Sequence, residues 1–247
     1  MEKPDEKPIP RAAFEATRWT LIIGAQTSDS KRSQDALSDL CQIYWYPLYS
    51  FVRRKGYSPH DAEDLTQGFF ERLLAKDFLR HVDRGKGRFR SFLLASMSHH
   101  LTDEYVRSKS QKRGGGQSPI SLDQQAAEAK YHLEPADTLT PEHLFEKQWV
   151  LTTLESVLHL LREEYEKQGK SMVFDQLKIL LTGGKGSVPM AHLASTLNMT
   201  EPSTRMAASR LRQRYKEVLR REISHTVANQ EDIDTEMQYL FEVLGRR

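Results

Sequence analysis

Along most of the chain apolar side chains return every three or four positions, the spacing that gathers them on one face of an α-helix, and alternating strand-like runs are hard to find. A first helix is predicted from Ser33 to about Lys55, with Leu37, Leu40, Cys41, Tyr44, Leu48, Phe51 and Val52 along one side. Pro47 inside it predicts a bend or the start of a second segment. Ser58-Pro59 opens another helix whose buried stripe reads Ala62, Leu65, Phe69, Leu73 and Leu74, with Asp61, Glu63 and Asp64 near its positive end. After a loop holding Asp83, Arg84, Gly85, Lys86 and Gly87, a long helix runs from Arg88 to about Ser110, using Phe89, Phe92, Leu93, Met97, Leu101 and Tyr105 for apolar contacts. Residues 114–141 lose the periodicity and carry three glycines with Pro119, Pro135 and Pro141, which reads as a linker.

The helical pattern resumes near Glu142 with Trp149, Leu151, Leu154, Val157, Leu158 and Leu161, then Phe174, Leu177, Leu180 and Leu181 before Gly183-Gly184. Residues 188–223 follow as a short helix, a tight turn and a longer helix. Leu193, Ala194 and Leu197 share one face of the short helix, Asn198 stands at the turn with Met199 plugging it, and Thr200 is placed to cap the next helix, with Pro202 in its first turn. Thr204, Ala207, Ala208, Leu211, Tyr215 and Leu219 would face the short helix; Ser203, Arg205, Met206, Ser209, Arg210 and Arg212 would face away. This is the layout of a helix-turn-helix, whose second helix enters the DNA major groove. Charge alone fits a solvated surface helix equally well. The turn chemistry, the small residues at the helix crossing and the one-sided basic face favour DNA. The end of the chain, 228–247, predicts an acidic amphipathic helix through Ile233, Met237, Leu240, Phe241 and Leu244, either packed on the second unit or masking a basic face. The expected fold is all-α: two small helical domains, 14–113 and 142–227, joined by a flexible linker, the C-terminal one with a helix-turn-helix. A disordered tail is expected at 1–13 and an amphipathic tail at 228–247.

Composition narrows the chemistry. The 247 residues are 28% charged, with 36 Lys and Arg against 34 Asp and Glu, so any nucleic-acid affinity must come from local clustering rather than overall charge. Mean hydropathy is −0.63, as expected of a polar, soluble chain. Cys41 is the single cysteine, which excludes an internal disulfide and a cysteine metal cluster and suits a small core residue. No run reaches membrane-spanning length and the start lacks the apolar core of a secretion signal, so a cytoplasmic location is expected. His99, His100, Asp103 and Glu104 lack an obvious third metal ligand, and neither glycine cluster fits a phosphate loop. No catalytic constellation stands out, and no cofactor or metal is expected.

Three segments carry a resemblance. YWYPLYSFVRRKGYSPHDAEDLTQGFFERLL, residues 44–74, resembles the second region of bacterial RNA polymerase sigma factors of the extracytoplasmic-function (ECF) type, in which an aromatic-Pro helix precedes D-A-E-D-x-x-Q-x-x-F. FRSFLLASMSHHLTDEYVRSKSQKR, residues 89–113, resembles the helix that follows, and residues 188–223 resemble the family's fourth region. The resemblance implies that Asp61, Asp64, Gln67 and Glu71 contact the clamp of core RNA polymerase. It implies that Arg84, Lys86, Arg88, Arg90, His99, Asp103, Arg107, Lys109, Lys112 and Arg113 recognise the minus-ten element and hold its non-template single strand during melting. His99 stands where many members have asparagine, which leaves the promoter sequence open. Ser203, Arg205, Met206, Ser209, Arg210 and Arg212 would then read the duplex minus-thirty-five element. The implied protein is a transcription initiation factor and not an enzyme, with core polymerase and promoter DNA as partners, no membrane, and an anti-sigma factor as a further partner the family allows. A stand-alone helix-turn-helix regulator is the alternative; a nucleic-acid enzyme with such a targeting domain is a more distant one.

Overall fold

The computed structural model describes residues 30–74, 88–110, 122–132, 139–182, 188–227 and 229–245. Every regular element among them is an α-helix: α1 Ser30–Arg54, α2 Pro59–Leu74, α3 Phe89–Ser110, α4 Leu122–His132, α5 Pro141–Lys167, α6 Ser171–Leu177, α7 Ile179–Thr182, α8 Met190–Thr196, α9 Glu201–Ser224 and α10 Asp232–Gly245. The chain is all-α, as its periodicity predicts. Among the described residues no helix is long and apolar enough to cross a membrane. The tail expected at 1–13 lies outside the described residues, as do Gly183-Gly184.

The C-terminal half of α1 organises the fold. Tyr44, Leu48, Tyr49, Ser50, Phe51 and Val52 are all fully buried, which is more than one stripe of a helix can present to one neighbour. The helix runs through Pro47 as one element rather than dividing there. It packs against α2 and, most extensively, against α5, the first helix of the expected second unit. A single buried cluster accordingly continues from Tyr44, Phe69 and Phe89 through Trp149 and Leu161 to Leu211, Ile223 and Leu240. Residues from both sides of the span 114–141 contribute to this cluster, and the C-terminal half of α1 buries side chains on more sides than one neighbour can cover.

The span expected as a linker contains α4, which sits against α1 and α2. Glu128 accepts from the Tyr49 hydroxyl at 2.6 Å and from Arg53 through Nε at 2.9 Å and Nη2 at 2.7 Å. Burial by itself would raise the Glu128 carboxyl; the hydrogen bonds from Arg53 and Tyr49 outweigh it and hold it below the ordinary carboxylate range. One charged residue on an alanine-rich turn thus docks a helix that carries little apolar surface of its own. Cys41 is half-buried against the core, and burial raises its thiol.

Candidate nucleic-acid interface

α8 and α9 meet through a tight turn whose chemistry is local. Asn198 takes a left-handed backbone with φ 52°, a conformation asparagine adopts at lower cost than most residues. The Met199 N–H donates to the Ala194 carbonyl at 2.9 Å and closes the end of α8. Thr200 is the N-cap of α9, its hydroxyl accepting from the Ser203 N–H at 3.3 Å, with a proline in the first turn. Leu193, Ala194, Thr204, Ala208 and Leu211 are buried where the two helices cross; Ala207 and Tyr215 are half-buried. Ser203, Arg205, Met206, Ser209, Arg210 and Arg212 are all exposed on the opposite side. Arg205 pairs with Glu201 one turn back at 2.9 Å, and Arg210 reaches toward the Met206 sulfur at 3.9 Å, so both guanidiniums lie along the helix surface at its start.

The rest of the basic run on α9 divides by function. Arg214 turns inward to Glu164 of α5, with Nε and Nη2 each donating at 2.8 Å, and also reaches Glu217 at 3.1 Å. It fastens α9 to α5. Its hydrogen bond and charge hold the Glu164 carboxyl below the ordinary range, with burial opposing. A depressed carboxylate adds stability above its unfolded-state pKa, and that stability is lost as pH falls through the folded value. Glu164→Gln is therefore expected to cost about 0.5–1 kcal/mol near neutrality, as for a partly exposed bidentate pair. Thermal melts of variant and wild type should converge as pH falls through the depressed Glu164 value, below the ordinary carboxylate range; a gap that persists once the carboxylate is protonated would mean the loss is steric rather than ionic.

On α3 the expected nucleic-acid residues separate sharply. His99 and Arg107 are exposed, Asp103 is half-buried, and the three follow one another at helical spacing. Asp103 accepts from Arg72 of α2 at 2.8 Å, which lowers its carboxyl pKa, while Arg107 donates to Glu104 at 2.8 Å. Tyr105, read from the sequence as an apolar contact, is 54% exposed and stands beside Val106 at 59%. Arg90 does not face solvent: its side chain is 3% exposed and pairs with Glu236 of α10. Arg88 pairs with the other oxygen of Glu236 at 2.9 Å. Arg84, Lys86, Lys112 and Arg113 lie outside the described residues, and Lys109 is placed only as a helical position of α3.

The acidic helix α2 turns Ala62, Phe69, Phe70 and Leu73 inward and leaves Asp61, Asp64, Gln67 and Glu71 exposed. Asp61 closes the helix start with Ser58, whose hydroxyl donates to its carboxylate at 2.7 Å and accepts the Asp61 N–H at 3.2 Å. Asp64 lies 3.2 Å from His60, and the Gln67 amide donates to Glu71 at 3.1 Å. Among the described residues the side-chain partners of Asp64, Gln67 and Glu71 lie on α2 itself, so the three form one polar ridge.

A family model described as ECF sigma factor matches residues 29–181, more than half of the 247 residues and the whole stretch from α1 to α7 apart from its last residue. The chain belongs to the ECF sigma factor family. It is a transcription initiation factor by that membership, and core RNA polymerase and promoter DNA are the partners the family implies. Neither the curated proteins nor the solved structures yield a match. The family match of this sigma factor ends before α8, so the α8–turn–α9 unit rests on its own capping, crossing and exposure.

The sequence missed three residues that shape these surfaces. Glu236 was one acid among several on an acidic helix. Glu128 lay in a span without periodicity. The exposure of Tyr105 is a matter of packing against α3, which no local pattern encodes.

Proposed function

We propose that this sigma factor docks on core RNA polymerase through the α2 ridge of Asp64, Gln67 and Glu71, with Asp61 at its start. It engages the minus-ten element along α3 and the minus-thirty-five element through α9, and so directs polymerase to particular promoters and promotes their opening. The family match over 29–181 carries the reading, because it takes in α2 and α3 together as one matched sequence. A ridge of carboxylates and an amide suits arginines on a partner helix. His99, Asp103 and Arg107 offer polar groups along α3, and the exposed Tyr105 ring offers a stacking surface for an unpaired base, a contact worth about 1–3 kcal/mol per base elsewhere. Strand opening on this reading uses binding energy alone, with no nucleotide hydrolysis.

The test is transcription in vitro on genomic fragments from the source organism, with core polymerase and with or without this protein. Transcripts starting at defined sites only in its presence establish the reading, and their upstream sequences give both elements. Absence of new starts, with duplex DNA still bound, hands the protein to the stand-alone regulator class. Once an element is known, Arg205→Ala and Arg210→Ala are each expected to reduce discrimination between intact and mutated minus-thirty-five sequences by about 1–3 kcal/mol, roughly 5- to 150-fold. Unchanged discrimination in both variants removes these arginines from base recognition.

A further inference from the structure

Two arginines at the start of α3 already hold an anion, and it belongs to the chain itself. Glu236 of α10 is fully buried; one carboxylate oxygen pairs with Arg90 and the other lies 2.9 Å from Arg88. The aromatic surroundings tighten the site. Arg90 lies 4.7 Å from the Trp149 ring centre and 4.4 Å from that of Tyr239, and Arg88 lies 5.0 Å from Tyr239. The Phe89 N–H donates to the Thr226 carbonyl at 3.3 Å, so the chain leading into α10 also touches the first turn of α3. On the same helix Asp234 pairs with Arg220 of α9. One short acidic helix therefore neutralises basic residues from each of the two helices that face DNA in the proposed function.

Stability alone does not call for this choice of residues. A buried ion pair is often no more stabilising than apolar side chains of similar volume, because desolvation offsets the Coulombic gain. The arginines are what a phosphodiester needs: two charged donors side by side, with Arg88 still a third exposed. The helix that covers them is peripheral. It buries Ile233, Leu240 and Val243 but leaves Phe241 and Leu244 exposed, so it can be displaced at less cost than a central helix.

We propose that Glu236 acts as an internal stand-in for a DNA phosphate, occupying Arg88 and Arg90 in the free sigma factor until α10 is displaced and nucleic acid takes its place. The proposal rests on the reading of α3 as a DNA-binding helix. Its ligand class is the single-stranded DNA backbone, and its consequence is a sigma factor that binds DNA weakly until opened.

The test measures binding of the full chain to a fluorescent 12-nucleotide single-stranded DNA of mixed sequence, by anisotropy over a range of salt. Glu236→Gln keeps the shape and removes the charge; it is expected to tighten binding about tenfold. With two more phosphates engaged, the slope of log affinity against log salt should steepen by about 1.4. Adding Arg88→Gln and Arg90→Gln to that variant should abolish both gains, which a purely structural role of Glu236 would not predict. A second measurement avoids any variant: amide exchange across 232–245 in the wild-type chain should accelerate when the same DNA is saturating. Unchanged affinity and slope in Glu236→Gln, or undisturbed exchange in α10 with DNA bound, overturns the proposal. Transcription with core polymerase keeps the two questions apart. Specific starts by wild type together with a silent Glu236→Gln sink the internal mimic alone, whereas absence of starts sinks the initiation reading beneath it.

Discussion

Trp149→Ala is expected to destabilise the protein by about 3–5 kcal/mol, the range for emptying a tryptophan-sized space in a core. The indole is fully buried on α5, the helix that packs against α1, α9 and α10. Its removal leaves a cavity at that junction and takes away the ring over which Arg90 lies, an attraction worth about 2 kcal/mol when desolvated. Against a total stability of about 5–15 kcal/mol for a protein fold, this is about a fifth or more of what holds the chain together. Urea unfolding should show the midpoint falling with the slope unchanged. A loss below about 1 kcal/mol would mean that the helices around α5 do not share a core. A double-mutant cycle with Arg90→Met separates the cation–π part from the cavity, since the two residues touch and should couple.

Reversing the α2 ridge with Asp64→Lys and Glu71→Lys together is expected to weaken assembly with core polymerase by at least about 3 kcal/mol, roughly a hundredfold. The reasoning is electrostatic. Each carboxylate offers charge-assisted hydrogen bonds to arginines, worth about 1.5–3 kcal/mol apiece, and a lysine in its place adds like-charge repulsion. Both positions are exposed, and among the described residues their side-chain partners lie within α2, so the helix itself should lose little more than a favourable charge near its N-terminus, about 0.3–1 kcal/mol. The variant should keep its helical circular dichroism while losing polymerase pull-down and promoter-specific transcription. Full assembly by the reversed variant removes the ridge from the polymerase contact. Because both substitutions lie far in sequence from α9, duplex binding by the free protein should be unaffected, which separates docking from DNA recognition.

A period of 3.6 residues is a local property, so the helices and most of their inward faces are legible in the sequence, Tyr105 of α3 and Phe241 and Leu244 of α10 being apolar stripe positions that the structure leaves exposed. α2, α3, α5 and α9 begin close to where their caps and apolar stripes place them. The α8–α9 turn was equally legible, since Asn198, Thr200 and the following proline act on the backbone within a few residues. So was the outward set from Ser203 to Arg212, which is the complement of the buried stripe. How the helices combine is a matter of long-range packing. Helix 122–132 docks on α1 because Glu128 meets Arg53 and Tyr49, partners more than seventy positions away that no pattern within the segment announces. Residues on both sides of the expected linker at 114–141 meet in one buried cluster because the C-terminal half of α1 is apolar on more than one side. Arg90 shows the limit most clearly. Its sequence neighbours mark a basic helix start, yet its exposure depends on Glu236, which arrives from the far end of the chain. Local sequence sets which residues share a face; only packing sets which faces remain open to a partner.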